Sequence, residues 1–129
     1  MIVVDAAVLA CALVDAGPDG SATRGRLRGE QVLVAEGTDV AVCAVLARLV
    51  EAGRISERRA QQAVTDLHDL PLDRVPQFPF LDRAWALRAE LTAAQAITAA
   101  VAEAYAVPLV TAEAAFSRTG TLSCAVELL

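Results

Sequence analysis

The chain opens with the apolar, β-branched run Ile2-Val3-Val4, closed at once by the carboxylate of Asp5. Such a run reads as a strand buried on both faces, of the kind found in parallel sheets. A residue directly behind it stands at the carboxyl edge of the sheet, where open α/β folds bind their ligands. The other strands must then return in parallel through helical crossovers that cover both faces.

The rest of the pattern supplies those elements. Residues 6–15 continue as an Ala/Leu-rich helix stopped by Gly17-Pro18, and Ser21 to Leu27 suits a second short helix ending at Gly29. Val32-Leu33-Val34 is a second strand, and Thr38 or Asp39 can N-cap a helix to about Ala52, closed by Gly53. Ser56 caps a helix through Leu67, and Leu72 to Val75 reads as a third strand. Pro79 opens a helix carrying Trp85 and Leu87, and Thr92 caps the next, which reaches Tyr105. Pro108-Leu109-Val110 is a fourth strand, followed by Thr111-Ala112-Glu113 and a short helix, with Cys124 to Leu128 as an edge strand. No linker or repeat divides residues 1–129, so one α/β domain with a mostly parallel sheet is expected.

Composition narrows the function classes. With 56% hydrophobic but only 4% aromatic residues, the core must be built from Ala, Val and Leu. Charged residues interrupt every apolar stretch before it reaches the roughly 18 residues of a membrane span. No basic leader precedes the first strand, and a cytoplasmic protein is expected. All 11 basic residues are Arg. Without Lys there is no P-loop, and a receiver-type phosphoacceptor domain, which also depends on a Lys, is excluded. A net charge of −5 argues against non-specific nucleic-acid binding. Arg24, Arg26 and Arg28 cluster, with Arg24 and Arg28 placed on one helix face, and read as a solvated surface. Cys11, Cys43 and Cys124 have neither C-x-x-C spacing nor a His partner and are expected as buried, reduced thiols. His68 stands alone near a helix end, where no catalytic role is expected.

Asp5 and Glu113 each follow a buried strand directly, so both emerge at the same edge and converge if those strands are neighbours. Convergent carboxylates suit a hard divalent cation such as Mg²⁺. On a phosphodiester such an ion activates water and stabilises the leaving oxygen. Structural readings stand beside this one: Asp5 as the cap of the first helix, Glu113 as a first-turn acid, and Asp39 as an N-cap or first-turn acid.

The segments MIVVDAAVLACAL, TDVAVCAVLARLVEAGRIS, RAWALRAELT and LTAAQAITAAVAEAYAVPLVTAE span nearly the whole chain. In content and order they resemble the PIN domain, most nearly the VapC-type toxins of bacterial toxin–antitoxin modules. The resemblance implies a PIN-like three-layer α/β/α fold and four acids that bind Mg²⁺ or Mn²⁺ to cleave RNA. It also implies a homodimer, and an antitoxin whose C-terminal segment crosses the acidic edge, often with an Arg. Carried over by position, the first acid is Asp5. The second falls in TDVAV, where the family reads D-x-E-V and this chain has Asp39 followed by Ala41. The third falls on Gln95, preceded by Ala94 where an aromatic is usual, and the fourth on Glu113 where Asp is usual. Ala7 replaces the small hydroxyl residue that follows the first acid by two. Asp39 is then a weak candidate ligand, turning inward from its cap, and Gln95 could offer a neutral amide oxygen.

A carboxylate beside a cation contributes on the order of 4 kcal/mol per charge pair at an effective dielectric near 20, less desolvation. A net loss of about 3 kcal/mol for two absent acids weakens metal binding more than a hundredfold. Two functions are therefore expected from the sequence. One is a weak or inactive ribonuclease that acts through binding to an antitoxin-like partner or RNA. The alternative is an active Mg²⁺- or Mn²⁺-dependent endoribonuclease toxin using Asp5 and Glu113.

Overall fold

The computed structural model describes residues 1–129 as a five-stranded, wholly parallel sheet with seven helices. The order is β1 (Ile2–Val4), α1 (Ala6–Val14), α2 (Pro18–Leu27), β2 (Val32–Ala35), α3 (Thr38–Glu51), α4 (Glu57–Asp69) and β3 (Leu72–Val75). A 3-10 turn at Phe78–Phe80 leads into α5 (Leu81–Ala86), α6 (Ala93–Tyr105), β4 (Leu109–Thr111), α7 (Ala114–Arg118) and β5 (Val126–Leu128).

Strands lie in the order β3-β2-β1-β4-β5. The chain builds outward from β1 through β2 to β3, then crosses back to lay β4 on the other side of β1, in register Val3↔Leu109 and Val4↔Val110. The break in direction falls between β1 and β4, and such a switch point opens a crevice at the carboxyl ends of the strands. Asp5 and Glu113 follow these two strands.

Alternating side chains of each strand feed two separate cores. Ile2, Val4, Val32, Val34 and Val110 pack with α1, α3 and α4 through Val8, Leu9, Val42, Leu46 and Leu67. Val3, Leu33, Ala35 and Leu109 pack on the opposite face with α5 and α6, through Leu87, Ala96, Ala99 and Val101. Three layers result. The buried face of α6 is mostly Ala, which brings the helix close to the sheet where aromatic side chains are scarce.

Several boundaries differ from the sequence reading for clear reasons. Helix α2 begins at Pro18 instead of Ser21, because Pro is preset for the first helical position and its missing N–H is not needed there. Arg28 ends α2 as its C-cap. The Arg cluster is not merely solvated. Arg24 donates to the carbonyls of Ala12 and Asp15 at the end of α1, and Arg26 pairs with Glu30 and with Glu127 of β5. Helix α3 is N-capped by Gly37, with no side-chain cap from Thr38 or Asp39. The three thiols are free, but Cys43 is exposed on the outer face of α3 while Cys11 and Cys124 are half-buried. Strand β5 starts at Val126, two residues later than expected. No helix is long and apolar enough to cross a membrane.

At the α1–α2 corner, a Cβ on Gly20 would sit 1.9 Å from the carbonyl oxygen of Asp15. Gly20→Ala therefore forces the two helices apart and should cost about 1–3 kcal/mol in urea unfolding. An unchanged midpoint would contradict this packing.

Candidate functional site

Asp5 is 4% exposed at the end of β1. Its Oδ1 accepts the backbone N–H of Val8 at 2.9 Å and so caps α1. Its Oδ2 accepts the hydroxyl of Thr111, the last residue of β4. The Thr111 oxygen accepts in turn the backbone N–H of Glu113 at 2.9 Å. One relay thus joins the turn after β1 to the turn after β4. The capping reading of Asp5 and its placement at the carboxyl edge are both realised.

Burial pushes the Asp5 carboxyl above its usual range, against the pull of hydrogen bonds from Thr111, Val8 and Ala7; nearby Glu113 pushes it further up. Such perturbation is common where a cleft does chemistry.

Glu113 accepts a hydrogen bond from the side-chain amide of Gln95 on α6. The orientation of that amide is fixed. Gln95 Oε1 accepts the backbone N–H of Thr92 at 3.0 Å, half of a capping box whose other half is the Thr92 hydroxyl. A backbone N–H can only donate, so Gln95 must turn its NH₂ toward Glu113. The neutral amide oxygen expected from Gln95 is therefore spent on the helix cap.

These side chains line a cleft of about 620 Å³ bounded by α3, α6 and the strand ends. Ala41 lies on its α3 wall and contributes only a methyl; Ala94 lies on its α6 wall. Asp39 is absent from the lining, which corrects its reading as a candidate ligand. Positions two apart on a helix are separated by about 200°, so Asp39 and Ala41 face opposite ways. Asp39 pairs instead with Arg74 of β3, at 2.6 and 3.1 Å, over a separate groove that includes Cys43 and His68. His68 itself bonds the Val64 carbonyl of its own helix. Nowhere do three or more His, Cys, Asp or Glu side chains come together as a metal-binding group.

Four participants went unread in the sequence. Thr111 bridges the two acids, and Thr38, Gln77 and Arg48 line the cleft. Arg48 was within reach of the helical period, since it follows Ala41 by seven residues and must share its face. Gln77 arrives through tertiary structure alone, by its Oε1 on the backbone N–H of Gly37 at 3.1 Å.

Because the folded protein holds the Asp5 proton more tightly than the unfolded chain, stability falls as pH rises from the usual carboxylate range through the raised folded value. Asp5→Asn removes that dependence. The variant's unfolding temperature should gain on the parent's as pH rises above the usual carboxylate range. A difference that does not change with pH would contradict the burial of the Asp5 carboxyl.

No protein-family model matches the chain. Ribonuclease VapC12 of Mycobacterium tuberculosis is 34% identical over 129 residues, covering 100% of this chain and 99% of the relative. Among solved structures, VapC20 of Mycobacterium tuberculosis, a toxin that cleaves the sarcin–ricin loop, superposes with TM-score 0.70 at 16% identity, over 93% of this chain and 95% of its own. VapBC2 of Rickettsia felis, solved with a DNA fragment from its promoter, gives 0.67 at 15% identity, over 99% and 98%. The two structures share the fold, and the full-length sequence identity carries the family: the chain belongs to the VapC ribonucleases, PIN-domain proteins of toxin–antitoxin systems.

Proposed function

We propose that this chain is a VapC-family protein with a weakened acidic site, a feeble or inactive ribonuclease that acts through binding. The observation that carries the reading is the donor set of the cleft. Mg²⁺ and Mn²⁺ need oxygen acceptors. Asp5 already receives two hydrogen bonds, Gln95 presents a donor, and Ala41 presents nothing. Glu113, one methylene longer than the usual Asp, is engaged by the Gln95 amide. These residues do not fit a firmly held divalent ion.

The partner would be an antitoxin-like protein, as the solved neighbours include toxin–antitoxin complexes, among them one from Klebsiella pneumoniae. Pairing with a second copy belongs to the same proposal. Phe78, Leu81 and Trp85 follow helical spacing and are 80%, 49% and 68% exposed, an apolar edge suited to burial. RNA remains within reach of the cleft as a bound, uncleaved ligand.

A second reading rests on the retention of Asp5 and Glu113 at adjacent strand ends. It gives a Mg²⁺- or Mn²⁺-dependent endoribonuclease of low activity using those two carboxylates. Incubation of a mixed structured RNA pool with Mn²⁺, beside EDTA and Asp5→Ala controls, separates the two. The first reading expects the same RNA pattern in all three lanes. Cleavage that disappears in both controls would establish the second.

A further inference from the structure

The two edges of the sheet are not equally fixed. Strand β3 pairs with β2 over four residues and ends in the buried side chain of Val75. Strand β5 has three residues, none of them fully buried, and Leu128 is 50% exposed. Its one neighbour in the sheet is β4, in register Leu109↔Val126, Val110↔Glu127 and Thr111↔Leu128. Leu122, Cys124 and Val126 reach the core only as partly buried side chains. Apolar burial is the main favourable force in folding, and β5 has little of it. Polar contacts hold it instead. Arg26 of α2 grips Glu127 through two bonds, Nε to Oε1 at 2.7 Å and Nη2 to Oε2 at 2.9 Å, a forked pair. Upstream, Arg83 donates to the Thr121 carbonyl at 3.0 Å and Ser123 to Glu103 at 2.9 Å.

The far end of β5 touches the relay at the switch point. The backbone N–H of Leu129 donates to the carbonyl of Thr111 at 2.8 Å. Thr111 is the residue whose hydroxyl joins Asp5 to the backbone of Glu113. From this arrangement we infer that β5 is a detachable strap: it leaves β4 as a unit while the rest of the sheet stays folded, and its departure loosens Thr111 and the turn that carries Glu113. Segments with few buried apolar contacts open well below the free energy of global unfolding. The Arg26–Glu127 clasp sets how often the strap opens. The order of the cleft is thereby controlled by a surface ion pair that lines no part of it. The inference concerns that order alone and stands whether or not RNA is cleaved in the cleft.

Amide hydrogen exchange on the isotope-labelled full chain, read residue by residue by NMR, tests this. The N–H groups of Leu109 and Leu129 bond across the β4–β5 pair, to Ala125 and Thr111, whereas that of Val3 bonds to Pro108 between β1 and β4. Leu109 and Leu129 should be at least about tenfold less protected than Val3. Glu127→Gln keeps the size of the side chain and removes its charge. It should lower the protection of the Leu109, Leu129 and Glu113 amides together by about threefold, the effect of one exposed ion pair, and leave Val3 as it was. Glu30→Gln removes the other partner of Arg26 while the fork to Glu127 remains, and should change none of the four. Equal protection of Leu129 and Val3 overturns the inference, as does a uniform fall across the sheet in Glu127→Gln. So does a Glu113 amide that stays unchanged while Leu109 and Leu129 loosen, no response to Glu127→Gln, or the same response to Glu30→Gln.

Discussion

The carboxylate of Asp5 ties together the two strands on which the cleft is built, one oxygen fixing the start of α1 and the other holding Thr111 at the end of β4. Thr111 passes the connection to the backbone of Glu113, so both turns at the switch point share one hydrogen-bond relay. A buried carboxylate is costly unless it is answered by donors, and here each of its oxygens is answered from within the chain. The residue therefore has a structural reason to be present, whatever chemistry the cleft performs. Asp5 thus holds the two turns together independently of any activity.

The same reasoning explains the charge of the cleft. In a site designed around a divalent cation, convergent acceptors dominate. This cleft has two carboxylates, both engaged, beside an amide that donates, a methyl, a guanidinium and an uncapped helix start. The surrounding fold is that of the family. Ala41 presents only a methyl to the cleft, and Gln95 presents an amide donor because its oxygen is held in the capping box with Thr92.

The fold was legible because its signals are local. Buried β-branched strands at Ile2–Val4, Val32–Ala35 and Leu109–Thr111, and caps at Ser56 and Thr92, are written in short segments. The adjacency of β1 and β4, which brings Asp5 and Glu113 to one edge, became visible in the strand order. Side-chain directions around the cleft needed the tertiary structure. Asp39 looked close enough to replace the acid at Ala41, but the helical period sends it to Arg74. The amide of Gln95 looked like a ligand until the backbone of Thr92 fixed its direction. Thr38 reads from the sequence only as a possible cap and Gln77 carries no motif; tertiary structure brings both to the wall of the cleft.

Mn²⁺ binding, read by electron paramagnetic resonance on the parent chain and on the Ala41→Glu/Gln95→Asp variant, is the most direct test of the proposed weak site. Negligible binding by the parent below millimolar Mn²⁺ is expected, with a gain of more than about a hundredfold when the two acids are introduced. Tight binding by the parent, unchanged in the variant, would show that Asp5 and Glu113 suffice and would contradict the reading of a weakened site.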